Sequence, residues 1–239
     1  MRKKLDCIDR IATVPNMLLA LAGLKGGTGR TTLAVALAAE ARARGRRTLL
    51  VDLDPRADAY GWSLLARECG QELAPTTLRL PAIAGQAERL RALAFGHDLT
   101  VIDTPADPSV LTEVAAIAEL VLVPCRPSPM DVWAAVDVLE ACTCARRLDA
   151  FRTQVAVVPN AFDPRTTIGS GLRHDLRALG LPVLESGLRR RVLHQEAMAH
   201  GSTASLDAPA SPASLEVREL LDTVEAMQAR YGDLRHVHH

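Results

Sequence analysis

Residues 23–32, Gly-Leu-Lys-Gly-Gly-Thr-Gly-Arg-Thr-Thr, decide how this chain is read. They follow an apolar run of strand length, residues 17–23 (MLLALAG), and precede a helical pattern from Thr31 to about Arg44 that Gly45 closes. In that context a glycine-rich turn has a specific use. Glycines let consecutive backbone N–H groups converge on an anion, and the helix N-terminus adds its unpaired N–H groups and positive dipole end. Gly26, Gly27, Thr28, Gly29, Arg30, Thr31 and Thr32 form the candidate phosphate cradle, with the Thr31 hydroxyl placed to ligate Mg²⁺. The other reading is an ordinary βα turn, which the strand, the spacing and the Thr-Thr pair together disfavour.

Outward from the loop, apolar strand-length runs recur at 47–53 (RTLLVDL), 99–103 (LTVID), 119–124 (ELVLVP) and 154–159 (QVAVVP). Helical patterns lie between them at about 58–68, 83–95, 108–118 and 130–147. Runs apolar on both faces and separated by helices predict a mostly parallel sheet covered on both sides, a doubly wound α/β fold. The C-terminal third predicts helices near 168–179, 190–200 and 212–230. Ser211-Pro212 suits the start of the last, and Val217, Leu220, Leu221, Val224 and Met227 repeat at helical spacing as a core-facing stripe. Residues 201–211 are the longest loop candidate. The expected organisation is a short leader over 1–16, one domain over 17–231 and a tail over 232–239.

Bulk composition narrows the partners. Hydrophobic residues are 48% and charged residues 23%, so a long disordered region is not expected. Aromatics at 3% leave no platform for stacking bases, and a formal net charge of zero means any nucleic-acid contact must come from a local patch. The five cysteines lack zinc or disulfide-framework spacing and read as reduced thiols. No stretch approaches the ~20 apolar residues of a membrane span. Asp6, Asp9 and Arg10 interrupt what would be a signal peptide, so a cytoplasmic protein is expected.

Three elements carry further chemistry. Asp52 and Asp54 stand two apart at the end of the second strand, on one face and beside the ligand crevice of a parallel sheet, although a strand-ending Asp turn would look the same. Asp103 closes another strand, and with Thr31 it supplies the hard oxygen donors Mg²⁺ favours. Asn160 ends the strand VAVVPN, where it is either a turn residue or a donor–acceptor pair for a base edge. Arg189, Arg190 and Arg191, with Arg173, His174 and Arg177 before them, are either a solvated face or a set of phosphate contacts.

The segment Lys25-Gly26-Gly27-Thr28-Gly29-Arg30-Thr31-Thr32 resembles the deviant Walker A motif of the ParA/MinD family of ATP-driven positioning proteins. Pro127-Ser128-Pro129-Met130-Asp131 is similar to small ParA-type partition proteins and reads as loop scaffolding. The resemblance covers about residues 17 to 231 and is looser beyond 150. It implies ATP and Mg²⁺ as ligands and an ATP-dependent homodimer in which Lys25 reaches the partner's phosphates. It further implies that Asp54 serves the attacking water, with Asp52 nearer the metal, and that Asn160 contacts the adenine. Arg189, Arg190 and Arg191 become a surface for non-specific DNA binding, with a ParB-like activator and association with the nucleoid. A membrane-bound variant of the scheme is disfavoured, because the last helix carries Glu216, Glu219, Asp222 and Glu225 against few cations.

Two residues depart from the family pattern. Arg30 stands where the family has lysine, and Arg56 where it has glutamine. Arginine keeps the charge but is longer, planar and not interchangeable with an ammonium. Three outcomes are open: Arg30 substitutes functionally, binding survives with slow hydrolysis, or the site is degenerate. The rival reading is a nucleotide-gated scaffold in which Arg30 has cost the chemistry but left binding. An iron–sulfur reductase sharing the loop would need paired cysteines, and Cys125 stands without a suitable second.

Overall fold

Seven parallel strands build one sheet in the order β3-β2-β4-β1-β5-β6-β7. They are β1 (Met17–Leu21), β2 (Thr48–Asp52), β3 (Thr76–Arg79), β4 (Leu99–Asp103), β5 (Leu120–Cys125), β6 (Gln154–Phe162) and β7 (Leu188–Arg189). The computed structural model describes residues 16–82, 85–148 and 153–236. The expected leader, apart from Asn16, and the last three residues of the expected tail lie outside the described residues.

Both faces of the central strands are buried, as continuous apolar runs require. Leu18 and Ala20 of β1 join one core with Val51, Ile102, Val121 and Val123. Met17, Leu19 and Leu21 join the other with Leu50, Val101 and Leu122. Helix α1 (Arg30–Ala43) seals the second core, and every residue from Leu33 to Ala41 in it is buried. Its alanines allow close packing against the sheet on one side and against α2 (Asp58–Glu68) and α9 (Pro212–His236) on the other. Helices α3 (Ala87–Ala94), α4 (Pro108–Ala115), α5 (Pro129–Leu148) and α6 (Thr167–Ala178) complete the layers, with α7 (Val192–Met198) and α8 (Ala204–Asp207) linking β7 to α9.

The start of α9 follows the sequence reading. Pro212 opens the helix, the Ser211 hydroxyl accepts from the Ser214 amide at 3.2 Å, and Val217, Leu220, Leu221 and Val224 are buried in the core. Three elements were not expected. Strand β3 is a short polar edge (TTLR), β7 has two residues, and α8 is a single turn inside the segment expected to be loop. None has enough apolar periodicity to register in sequence.

Register decides what meets at the carboxyl edge. Asp103 pairs with Leu21 on one side and with Asp52 on the other, so the end of β1 and both carboxylates share one level of the sheet. From β1 the chain runs first toward β2 and later returns to β5 on the other flank. The crevice at such a reversal is where open parallel sheets bind ligands.

Candidate functional site

The loop between β1 and α1 has the backbone that its glycines predict. Gly27 (φ 74°) and Gly29 (φ 94°) are left-handed, a region that residues bearing Cβ rarely occupy. Gly29 is the N-cap of α1 and brings no side chain to cap it, so the first amides of the helix have no side-chain oxygen from the cap to satisfy them. An anion seated there would accept from them.

Opposite the helix start, the Thr31 hydroxyl donates to Asp103 Oδ2 at 2.7 Å. Asp103 is 1% exposed, and its other oxygen, Oδ1, is buried without a hydrogen-bond partner. Burial pushes its carboxyl up to about 7, the Thr31 hydrogen bond and Arg30 oppose this, and the Asp52 and Asp54 charges add to it. A buried, under-compensated carboxylate beside a threonine hydroxyl fits a divalent cation. Among the described residues no three His, Cys, Asp or Glu side chains form a closed metal cage. That suits Mg²⁺, which takes one or two protein oxygens and fills its shell with water and phosphate.

Asp52 is engaged with the backbone around it. It is fully buried, with Oδ1 accepting from the Asp54 amide at 3.0 Å and Oδ2 from the Tyr60 amide at 2.9 Å. Both oxygens tie down the turn after β2 and the first turn of α2, so the residue shapes the site. Asp54 is held by its neighbour Arg56, whose amide donates to Oδ1 at 3.0 Å and whose guanidinium lies 3.3 Å from both oxygens. Burial works to raise the Asp54 carboxyl, but the hydrogen bonds and charge of Arg56 outweigh it and keep the group below its usual range.

Arg30 turns inward. It is 5% exposed, and Nη1 donates to the carbonyl of Gly23 and, at 3.3 Å, to that of Lys25. Burial lowers its basicity, opposed by the Asp103 and Asp54 charges. Here the guanidinium braces the loop through its carbonyls.

Lys25 is ion-paired with Asp131 at the start of α5. The Asp131 side chain is wholly buried and also accepts from Arg126 Nε at 2.6 Å and Nη2 at 3.3 Å. The segment read as loop scaffolding therefore holds the lysine's counter-ion, a pairing across 106 residues that carries no sequence signal.

Asn160 is 7% exposed and Nδ2 donates to the Thr28 carbonyl at 2.7 Å, so the carboxamide is engaged with the loop itself. The arginine triplet does not form one solvated helix face. Arg189 ends β7, Arg191 precedes α7, and both are tied to Glu216: Arg191 Nη2 at 2.6 Å, and the Arg189 amide at 3.1 Å. All three line a cleft of about 650 Å³ together with Gly27, Gly29, Thr32, Arg126, Asn160 and His194. The cleft adjoins the glycine loop, so these arginines stand beside the phosphate cradle rather than remote from it.

The family model described as the CobQ/CobB/MinD/ParA nucleotide binding domain matches residues 19–204. The chain belongs to this family. Among relatives, it is 30% identical over 213 residues to the maintenance of carboxysome distribution protein A of Halothiobacillus neapolitanus, covering 86% of this chain and 95% of the relative. It is 31% identical over 236 residues to the chromosome-partitioning ATPase Soj of Thermus thermophilus, covering 87% and 95%. Among solved structures, cobyrinic acid a,c-diamide synthase of Mycobacterium smegmatis with a bound ATP analogue and magnesium superposes with a TM-score of 0.70 at 23% identity, covering 88% of this chain and 94% of that one. That likeness speaks for the fold alone.

Within this ParA/MinD-type fold, the structure brings Lys25, residues 26–32, Asp52, Asp54, Asp103 and Asn160 to one edge of the sheet. Sequence reasoning missed Asp131, Arg126 and the clamp of Arg56 on Asp54. Only the last had a local signal, an arginine two residues from a carboxylate.

Proposed function

We propose that this chain binds ATP with Mg²⁺ at residues 23–32 and acts as an ATP-gated dimer that positions a cargo or a DNA element. The observation that carries the reading is the glycine loop opening onto Thr31 and an Asp103 oxygen that has no protein partner. Loop amides and the α1 N-terminus would bind the phosphates, and Thr31 and Asp103 would hold the metal. Bound there, the nucleotide supplies a phosphoryl group whose transfer to water resets the dimer. Asp54 would orient that water once Arg56 releases it, and Lys25 would stabilise charge across the dimer after leaving Asp131. Arg189 and Arg190, the more exposed members of the triplet, would contribute phosphate contacts to non-specific DNA. A ParB-like activator would accelerate turnover. The Halothiobacillus and Thermus relatives, matched over 95% of their lengths, favour positioning over biosynthesis.

A second reading is favoured by Arg30. A guanidinium bonded to loop carbonyls is withheld from phosphate, and a nucleotide-gated scaffold that binds without turnover needs no more. Phosphate release measured with Mg·ATP, with and without plasmid DNA, separates the two. Slow release that rises with DNA supports the ATPase. Saturable binding with no release in wild type, gained in Arg30→Lys, supports the scaffold. No affinity for any Mg·nucleoside triphosphate refutes both.

A further inference from the structure

Asn160 lies 132 residues from Thr28, yet its side-chain amide reaches the Thr28 carbonyl at 2.7 Å in a buried setting. Two local features make that reach possible. Ala161 adopts φ 49°, a left-handed conformation that a residue with Cβ seldom takes. It sits where the β6–β7 register shifts between Asn160 and Phe162, a bulge that re-aims the side chain before it. On the other side, a Cβ at Gly29 would collide with Asn160 Nδ2, so the contact depends on glycine at that position. A strained alanine and an obligatory glycine thus flank one hydrogen bond, and strain of this kind persists where surrounding structure enforces it.

The bond acts on the cradle directly. In a trans peptide the C=O and the following N–H point in opposite directions. A donor on the Thr28 oxygen therefore directs the Gly29 N–H away from Asn160. We infer that Asn160 is a positioning residue for the phosphate loop, holding the Thr28–Gly29 peptide so that its amide is preset for an anion, whatever base the nucleotide carries. The inference rests on the reading that residues 23–32 hold phosphates, and it assigns Asn160 a role separate from contact with a base.

Tripolyphosphate, which has no base, tests it. Titration calorimetry with Mg²⁺ and tripolyphosphate, ATP or GTP compares wild type with Asn160→Ala. The expected result is a common loss of about ten-fold for all three ligands, the loss of one buried hydrogen bond, with the ATP-to-GTP ratio unchanged. Asn160→Asp, which keeps the size but sets an oxygen against the Thr28 carbonyl, should lose at least as much. In the ligand-free protein, amides of residues 26–29 should exchange faster in Asn160→Ala while β1 and β4 keep their protection. Unchanged tripolyphosphate affinity with weakened ATP would overturn the inference and make Asn160 a base reader. Unchanged affinity for all three ligands would overturn it as well. If wild type binds neither tripolyphosphate nor ATP, the phosphate-loop reading fails, and the exchange comparison alone then decides whether Asn160 braces the loop.

Discussion

Thr31→Val removes a hydroxyl while keeping the shape of the side chain, and the structure sets its cost. Asp103 has one hydrogen-bond partner for its carboxyl, Thr31 at 2.7 Å, and its other oxygen is already without one. After the substitution a carboxyl that is 1% exposed would have neither oxygen satisfied. A hydrogen bond to a charged group contributes about 1.5–3 kcal/mol, and stranding a buried acceptor falls at the upper part of that range. The expected loss is therefore about 2–3 kcal/mol, measured by urea denaturation of the nucleotide-free protein at pH 8, above the value of about 7 to which Asp103 is raised, so that it is ionised. Thr32→Val is the control. Thr32 is half-buried beside the cleft, and its loss should lie within about 0.5 kcal/mol of wild type. The double variant Thr31→Val/Asp103→Leu removes both members of the pair and should recover part of the single loss. If Thr31→Val and Thr32→Val are equally stable, Asp103 is not the stranded carboxylate described above and the metal reading loses its basis.

Other expectations follow from the same contacts. Arg30→Ala deletes a buried guanidinium bonded to two loop carbonyls and should lower stability by about 2 kcal/mol in the same denaturation assay, whereas a loss under about 0.5 kcal/mol would mean it braces nothing. Gly201→Ala combines a left-handed φ of 71° with a Cβ 2.5 Å from the Ala66 amide, so a melting experiment should show one of the larger single-glycine losses in the chain, about 2 kcal/mol or more. His194 is buried, which depresses its pKa below 6.5, with Glu216 opposing and Arg191 assisting. The unfolded chain takes up that proton more readily, so stability is complete above pH 6.5 and falls as pH drops below it; His194→Phe should flatten that part of the stability curve.

The centre of the fold was legible because local chemistry there has few meanings. The glycines of the loop after the first strand were legible as a turn whose amides converge, and Gly27 and Gly29 take the left-handed conformation such a turn needs, while the apolar runs at 17–23, 99–103 and 154–159 are of strand length. Ser211-Pro212 announced α9. What escaped notice was pairing at a distance. Asp131 is an unremarkable helix-start aspartate until β5 brings it to Lys25. The spacing of Asp52 cannot reveal that the Tyr60 amide, in the first turn of α2 after Ala57 at φ 55°, meets its carboxylate. Arg30 shows the same limit in one side chain. Its identity was legible, but its direction depends on which carbonyls lie within reach of a long planar group. The edge strands β3 and β7 are too short and too polar for alternation to show.

Backbone-amide NMR during titration with Mg·ATP addresses the central claim most directly, since that claim concerns N–H groups. The account predicts saturable shifts at residues 26–32 and at Asp103, with β3 and the C-terminal half of α9 little changed. Shifts confined to another region, or no shift at 26–32 at saturating nucleotide, would contradict it.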